Sequence, residues 1–267
     1  MIAKDISCKS LMNQSKLADY CINCYVGCEH GCKYCYAESI TRRFSKHKEQ
    51  WGKFVDVKLN APDILKREIA NKKKGTVFIS SLTDAYQPLE KKYELTRKVL
   101  EILLEHQFSV CIQTKSSLIL RDLDLIKKFK NREVGFTITS LNEKVRETFE
   151  PFSSPANEKL EALKILKENG IKTYAFFGPI LPFLSDENLE EYIRKISEAK
   201  VDFMYIDKLN LKSGVWENLK NVLEKDYPEL LPKWNEAIFS ENDYFKNLKQ
   251  KITKLCEKNN IKYNFCY

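Results

Sequence analysis

Cys28, Cys32 and Cys35 stand in the run Gly27-Cys28-Glu29-His30-Gly31-Cys32-Lys33-Tyr34-Cys35-Tyr36, a C-x3-C-x2-C spacing with an aromatic residue just before the last thiol. One short loop of this kind offers three thiolates. A cubane iron–sulfur cluster has four irons and normally takes four cysteines. Three cysteines leave one iron with an open corner for another ligand, and that corner is the chemical point of the spacing. A second arrangement competes with it. Cys21-x2-Cys24 and Cys32-x2-Cys35 make two C-x2-C pairs, the usual halves of a tetrahedral four-cysteine zinc site, which would serve a nucleic-acid-binding module without catalysis. Only seven residues separate these pairs, and zinc would leave Cys28 idle.

The chain has 267 residues, enough for a real core and typical of an α/β barrel in one unit. Nine cysteines, five of them between residues 21 and 35, do not fit a secreted disulfide framework. The N-terminus lacks the apolar core of a signal peptide. The longest mostly apolar stretch, Tyr174 to Leu184, is interrupted by Pro179 and Pro182, and a membrane helix needs ~20 apolar residues. These features predict a reduced, cytoplasmic protein with no membrane partner. The net charge of +8 suits a nucleic-acid substrate and equally suits helices with solvated lysine faces. The runs Lys72-Lys73-Lys74 and Lys127-Lys128 read as such helix ends.

The elements that must hold the loop follow a regular rhythm. Tyr20 to Val26 reads as a first strand, followed by helices over Ala37 to Lys46 and Pro62 to Lys73. Strands over Thr76–Ser80, Phe108–Thr114, Val134–Ser140, Lys172–Phe177 and Asp202–Ile206 then alternate with helices. Those helices cover Pro88–His106, Leu118–Lys130, Glu158–Asn169 and Asn188–Ala199, with Gly170 as a C-terminal stop. Such a βα repeat of about six units implies a parallel sheet with helices outside. Loops at the carboxyl ends of parallel strands build active sites, so the cysteine loop falls where chemistry is expected. Beyond residue 208 the rhythm weakens, with a lysine-rich helix over Glu241–Asn259 and a last strand over Ile261–Cys266.

The cysteine run resembles the signature of the radical S-adenosylmethionine (SAM) enzymes. The wider stretch from Asn23 to Ala37 is similar to the spore photoproduct lyase-like branch of that superfamily. So are Ser80-Ser81-Leu82-Thr83-Asp84, Gln87-Pro88-Leu89-Glu90, Leu95-Thr96-Arg97, Thr114-Lys115-Ser116, Arg121-Asp122, Glu150-Pro151 and Gly178-Pro179-Ile180-Leu181-Pro182. The resemblance implies an α/β fold of partial, parallel (β/α)6 TIM-like barrel type over residues 1–207, with a C-terminal helical and strand extension over 208–267. It implies a [4Fe-4S] cluster on Cys28, Cys32 and Cys35 and SAM on the free iron. It implies hydrogen abstraction by a 5′-deoxyadenosyl radical and a reductant such as flavodoxin or ferredoxin, and it leaves three substrate classes open: a nucleobase in DNA or RNA, which the branch favours, a peptide side chain, or a small metabolite. Tyr34, Ser81, Thr83, Lys115, Ser140 and Gly178 match positions beside SAM, and Asp84 and Tyr36 match positions facing the substrate.

One departure stands out. The photoproduct lyase carries, shortly before the acidic residue of its second-strand motif, a cysteine that returns hydrogen to the product radical. The matching residue here is Ser81, whose O–H bond is too strong for that task. Four other thiols, Cys21, Cys24, Cys256 and Cys266, would make an auxiliary iron–sulfur cluster if the last strand docked beside the first. The simpler reading takes them as small buried apolar residues, and Cys8 and Cys111 likewise. His30 either tunes a cluster by hydrogen bonding or shapes the turn. Lys115 either meets the SAM carboxylate or is a solvated lysine. Glu150-Pro151 either ends a helix or contacts substrate or SAM.

Overall fold

The computed structural model describes residues 1–212 and 214–267. Its main sheet has eight strands in the order β11-β10-β9-β8-β7-β6-β3-β2 and does not close. These are β2 (Asn13–Gln14), β3 (Tyr20–Ile22), β6 (Thr76–Ile79), β7 (Ser109–Thr114), β8 (Arg132–Thr137), β9 (Lys172–Ile180), β10 (Phe203–Lys208) and β11 (Tyr263–Phe265). All neighbours run parallel except β2, which pairs antiparallel with β3. A second, three-stranded sheet joins β1 (Ile2–Ile6), β5 (Phe54–Lys58) and β4 (Tyr25–Val26).

Strand alternation divides the main sheet into two faces. Val77, Ile79, Val110, Ile112, Val134, Phe136, Ala175, Phe177, Met204 and Ile206 form the outer face, where helical Leu95, Val99, Leu103, Leu163, Leu166, Ile193 and Ile196 cover them. Each such side chain contributes about 1.5–3 kcal/mol by leaving water. The inner, concave face carries Cys21, Phe78 and Cys111, which are cross-strand partners, together with Gln113, Tyr174, Phe176 and Tyr205. Gly135 makes room there, since a Cβ would lie 2.1 Å from the Tyr174 ring. This is the expected partial α/β barrel with an open seam.

Several boundaries differ from the sequence reading. Tyr20 to Val26 is two strands in two sheets, because the Asn23 side chain leaves the ladder and accepts the N–H groups of Ser81 and Leu82, each at 3.0 Å. The cysteine loop therefore follows β4 of the small sheet. Strands β1 and β5 were not expected at all. The helix expected over Pro88–His106 is broken at Glu94, whose φ is 51°, into Glu90–Tyr93 and Leu95–Glu105. The second piece starts on the buried Glu90 carboxylate, which accepts the Thr96 N–H at 3.1 Å and so satisfies the positive end of the helix. Leu118–Lys130 is a 3-10 turn over Ser117–Asp122 followed by a short helix, Leu123–Ile126.

Among the described residues no helix is long and apolar enough to cross a membrane. Strand β11 pairs with β10, whereas β3 lies near the other edge. The last strand therefore does not dock beside the first. Cys256 is packed in the core on helix Tyr244–Lys258 and Cys266 is exposed. This separation removes the auxiliary cluster, because its two halves sit on opposite sides of the sheet.

Candidate active site

The cysteine loop keeps its path through two close backbone approaches. Gly27 has φ 93°, and a Cβ there would come 2.6 Å from the Phe54 carbonyl oxygen. Gly31 packs on Gly52, where a Cβ would meet the Gly31 Cα at 2.7 Å. Cys28 and Cys32 are buried and Cys35 is half-buried, all three as free thiols. The backbone amides of Asp84 and His30 pull the Cys28 thiol down, and those of Ala37 and Glu38 pull the Cys35 thiol down. Burial pushes the Cys28 thiol up to about 12, with Asp84 and Cys35 adding to the effect. Burial also raises Cys32 and Cys35, against the opposing charge of Lys115.

The segment after β6 wraps this loop. The Thr83 hydroxyl donates to the Gly27 carbonyl at 2.6 Å and accepts from Gln87 Nε2 at 3.0 Å. Gln87 Oε1 accepts the Glu29 N–H at 2.9 Å, and the Glu29 carboxylate accepts the Leu89 N–H. Thr83 thus holds the cysteine loop directly. The Tyr36 hydroxyl donates to the Ser81 carbonyl at 3.0 Å, and the Lys212 ammonium lies 5.0 Å from its ring centroid.

Asp84 is buried and fully engaged. Its carboxylate accepts from the Tyr86 N–H at 2.9 Å, the Thr114 hydroxyl at 2.6 Å and the Lys115 N–H at 2.8 Å. His30 Nε2 stands 3.3 Å from Asp84 Oδ2, an ion-pair distance without hydrogen-bond alignment. His30 Nδ1 lies 2.8 Å from the Phe152 carbonyl oxygen, to which it donates. Burial alone would raise the Asp84 carboxyl, but His30, Thr114 and the Tyr86 amide hold it well below the usual carboxylate range. His30 therefore ties the cysteine loop to both the segment after β6 and the turn after Glu150.

The opposite wall is a second buried network. The Tyr34 hydroxyl donates to Glu150 Oε1, which also accepts from the Thr139 hydroxyl at 2.7 Å. Glu150 Oε2 accepts from the Ser153 hydroxyl at 3.0 Å and from Lys159 Nζ at 3.2 Å. Burial opposes ionisation of Glu150, yet Lys159, Lys115 and its hydrogen bonds hold it down to about 2. Glu150-Pro151 is therefore the keystone of the wall behind Tyr34. Lys115 Nζ lies 5.7 Å from the Tyr34 ring centroid. Among the described residues no carboxylate comes within 4.0 Å of that ammonium. Burial would lower the Lys115 pKa, but Cys32, Glu150, Asp84 and Cys35 together raise it.

Ser140 and Gly178 sit farther along the strand tips. The Ser140 hydroxyl donates to the Leu184 carbonyl at 3.4 Å and accepts the Asn142 N–H at 3.1 Å. A Cβ at Gly178 would meet the Phe176 ring at 2.6 Å and Asp207 at 3.1 Å. The remaining motif residues are structural: Arg121 pairs with Glu90 at 2.8 Å and with Asp122 at 2.8 Å, and Arg97 reaches Asp122 at 3.0 Å. Asn23 and Gln87 stood in family-like stretches without a role assigned to them, and Thr139 and Lys159 were not singled out by sequence. Lys159 did carry a signal, as a lone cation in the apolar stripe Ala156, Leu160, Leu163, Leu166.

The zinc arrangement is not favoured. Cys24 packs in the main core, while Cys32 belongs to a separate apolar cluster with Tyr34 and Phe149. Among the described residues no three thiol, imidazole or carboxylate side chains converge as on a single ion. Three free thiols spread along one loop, beside an ammonium that has no carboxylate within 4.0 Å among the described residues, fit the larger body of a cubane and a carboxylate-bearing ligand on its open corner.

Comparison with known proteins bears on this geometry. The Radical SAM superfamily matches residues 22–196. The uncharacterized protein MJ0683 of Methanocaldococcus jannaschii is 40% identical over 259 residues, which cover 96% of this chain and 93% of that one. The uncharacterized protein ORF301 of Acidianus two-tailed virus is 30% identical over 243 residues, covering 81% of this chain and 80% of its own. Spore photoproduct lyase complexed with dinucleoside spore photoproduct superposes with a TM-score of 0.72 at 16% identity, over 99% of this chain and 82% of that one. Streptococcus suis SuiB bound to S-adenosylmethionine superposes with a TM-score of 0.59 at 14% identity, over 92% and 49% of the two chains. At these identities the likeness to both solved structures is one of fold.

Proposed function

Because the chain belongs to the radical SAM superfamily, we propose that it is an enzyme that uses Cys28, Cys32 and Cys35 to hold a [4Fe-4S] cluster and SAM to modify a nucleobase-containing substrate. Bound there, the cluster and SAM would supply radical chemistry that abstracts hydrogen from the substrate. Every other contribution comes from the chain. Lys115 receives the SAM carboxylate, since its ammonium lies 5.7 Å from the Tyr34 ring centroid and has no carboxylate within 4.0 Å among the described residues. Tyr34 offers backbone to the adenine, with its ring fixed by Glu150. Thr83 sets the height of the cysteine loop through Gly27. Ser81, Ser140 and Gly178 border the SAM side of the strand tips, and Asp84 and Tyr36 border the substrate side.

The observation that carries this reading is the set of three free thiols on one glycine-shaped loop beside an ammonium that has no carboxylate within 4.0 Å among the described residues. The substrate class rests on the concave face. Phe78, Phe176, Phe203 and Tyr205 are half-buried there and present rings on which a planar base stacks. The structural neighbour holding a dinucleoside lesion supports the same class. The electron comes from a low-potential one-electron carrier of the flavodoxin or ferredoxin kind.

Anaerobic reconstitution tests the reading. The reconstituted chain takes up about four irons and four sulfides, and with SAM and dithionite it releases 5′-deoxyadenosine. Replacing Cys28, Cys32 and Cys35 together by Ala removes both iron and product. Turnover in that triple variant refutes the ligand assignment, and colourless zinc-loaded protein refutes the enzyme. Binding to single-stranded DNA or RNA that weakens with salt supports the substrate class; no binding at low salt overturns it.

A further inference from the structure

The cysteine loop has two approaches. One is the concave face of the main sheet. The other is a cleft of about 530 Å3 between the loop, at Gly31, Cys32 and Lys33, and helix Val215–Asp226, with Trp51 in its wall. No strand of the main sheet contributes to that cleft. Cys32, an iron ligand in the reading above, therefore borders an opening separate from the aromatic concave face. Trp51 links the cleft to the other two sulfurs, because it packs with Cys28, Cys35, Ala37 and Phe54 in one apolar cluster. Its indole is buried, and Nε1–H has no partner among the described residues.

The chain leaves this cleft at Glu38 and returns to it at Gln50. Arg43, Lys46 and Lys48 are exposed in between, as is Lys53 just beyond, and none has a salt-bridge partner among the described residues. Phe44 in their midst is 76% exposed, more than any other large apolar side chain among the described residues. The acidic residues of the same segment are engaged, Glu38 with Arg42 at 2.9 Å and Glu49 with His47 at 3.0 Å. Between residues 33 and 53 six basic residues stand against two acidic ones, which is +4 of the net +8 of the chain. On the far wall Lys225 and Asp226 offset each other, and Glu147 meets Arg146 at 3.4 Å. Free cations around one exposed ring steer and then seat an acidic protein. A nucleic-acid strand also fits the charge, but a single exposed ring off the concave face offers no run of stacking platforms for successive bases.

We propose that this cleft and the basic segment 42–53 form the docking surface for the protein that delivers the electron, a small acidic carrier with a low-potential one-electron centre. The inference rests on the radical reading above and gives its partner a landing site. Each encounter moves one electron: the reduced centre of the carrier loses it, the cluster gains it, and no atom or proton changes place. The cations orient the encounter, Phe44 supplies the apolar contact, and Cys32 and Trp51 bring the sulfurs close to the docked surface. Redox contacts of this kind are small, below about 1,200 Å2 in total, a size that one cleft and its flanking loop provide. Entry from this side leaves the concave face to SAM and substrate.

The test separates a docked carrier from a small reductant. The full chain, as apoprotein, is titrated calorimetrically with flavodoxin and with ferredoxin at low salt. The wild type binds at least one of them, and more weakly as salt rises. The triple variant Arg43→Glu, Lys46→Glu, Lys48→Glu raises the dissociation constant at least about tenfold, and Phe44→Ser alone also raises it. In reconstituted protein, 5′-deoxyadenosine release driven by limiting reduced carrier falls in the same order, while the dithionite-driven rate of the triple variant stays within about twofold of wild type. No binding of either carrier overturns the proposal, and so does unchanged affinity in the triple variant. An equal fall in the dithionite-driven rate overturns it too, because the change then acts on the cluster. If the triple variant keeps the carrier and loses single-stranded DNA, the patch belongs to nucleic acid and the proposal falls. Absence of 5′-deoxyadenosine from the wild type with dithionite instead overturns the underlying function, and the apoprotein titration still decides the docking surface.

Discussion

Lys159 Nζ meets Glu150 Oε2 at 3.2 Å with both side chains closed off from water. The pair is anchored further by the Thr137 carbonyl, which accepts from the same ammonium at 3.1 Å. The other oxygen of the same carboxylate accepts from the Tyr34 hydroxyl, so a fixed negative charge is held against the cysteine loop.

Removing one partner of such a pair leaves an uncompensated charge. Lys159→Met is expected to destabilise the apoprotein by about 3–5 kcal/mol, measured by urea unfolding. Adding Glu150→Gln to it recovers at least about 1 kcal/mol. A double variant no more stable than Lys159→Met alone would contradict the coupling.

Gly52→Ala places a methyl group 2.7 Å from the Gly31 Cα at a position whose φ is 86°. The expected cost is about 1–3 kcal/mol. Iron uptake falls in parallel, because the displaced segment carries Cys32. Iron counting after reconstitution checks it; full loading would mean the contact is not needed.

Thr83→Val deletes the hydrogen bond to the Gly27 carbonyl and the acceptor of Gln87. Two buried polar groups then lack partners, at a cost of about 1–3 kcal/mol. Thermal melts of apo and reconstituted protein should both shift down. A shift confined to the SAM-bound form would instead assign Thr83 to the ligand.

Lys115→Met removes the unpaired ammonium. The KM for SAM is expected to rise at least about tenfold, equivalent to about 1.4 kcal/mol. Initial rates of 5′-deoxyadenosine release over a SAM series give the answer, and an unchanged KM would place the carboxylate elsewhere.

His47 lies 2.8 Å from Asp56 and 3.0 Å from Glu49, and the Asp56 hydrogen bond leads in raising its pKa above 6.5. The folded value exceeds the unfolded one, so this stabilisation is complete below about pH 6.5 and is lost as pH rises through the folded value. The gap in urea midpoint between wild type and His47→Ala should be widest in mild acid and narrow toward alkaline pH. A gap that widens with pH would reverse the sign.

The cysteine loop was legible because its ligand chemistry is compressed into the eight residues from Cys28 to Cys35. The parallel sheet was legible because each strand buries one face under a helix. What escaped depends on contacts far apart in the chain. Strand β1 has a mostly exposed pattern and exists only by pairing with β5. Asn23 divides a continuous apolar run through partners at Ser81 and Leu82. Glu150, Thr139, Lys159 and Tyr34 come from four separate segments, and no local pattern joins them. Sheet order, too, is absent from local spacing. That is why Cys21 was grouped with Cys266, across the sheet, and not with Ser81, whose hydroxyl its thiol meets at 3.1 Å.

The depth of the metal-loop sulfurs carries a thermodynamic corollary. Since burial raises the Cys28, Cys32 and Cys35 thiols above their ordinary value, cofactor insertion must expel up to three protons. Apo and holo forms are then linked by acidity: alkaline buffer favours uptake, acid favours release, and the steepness of that dependence counts the sulfurs engaged.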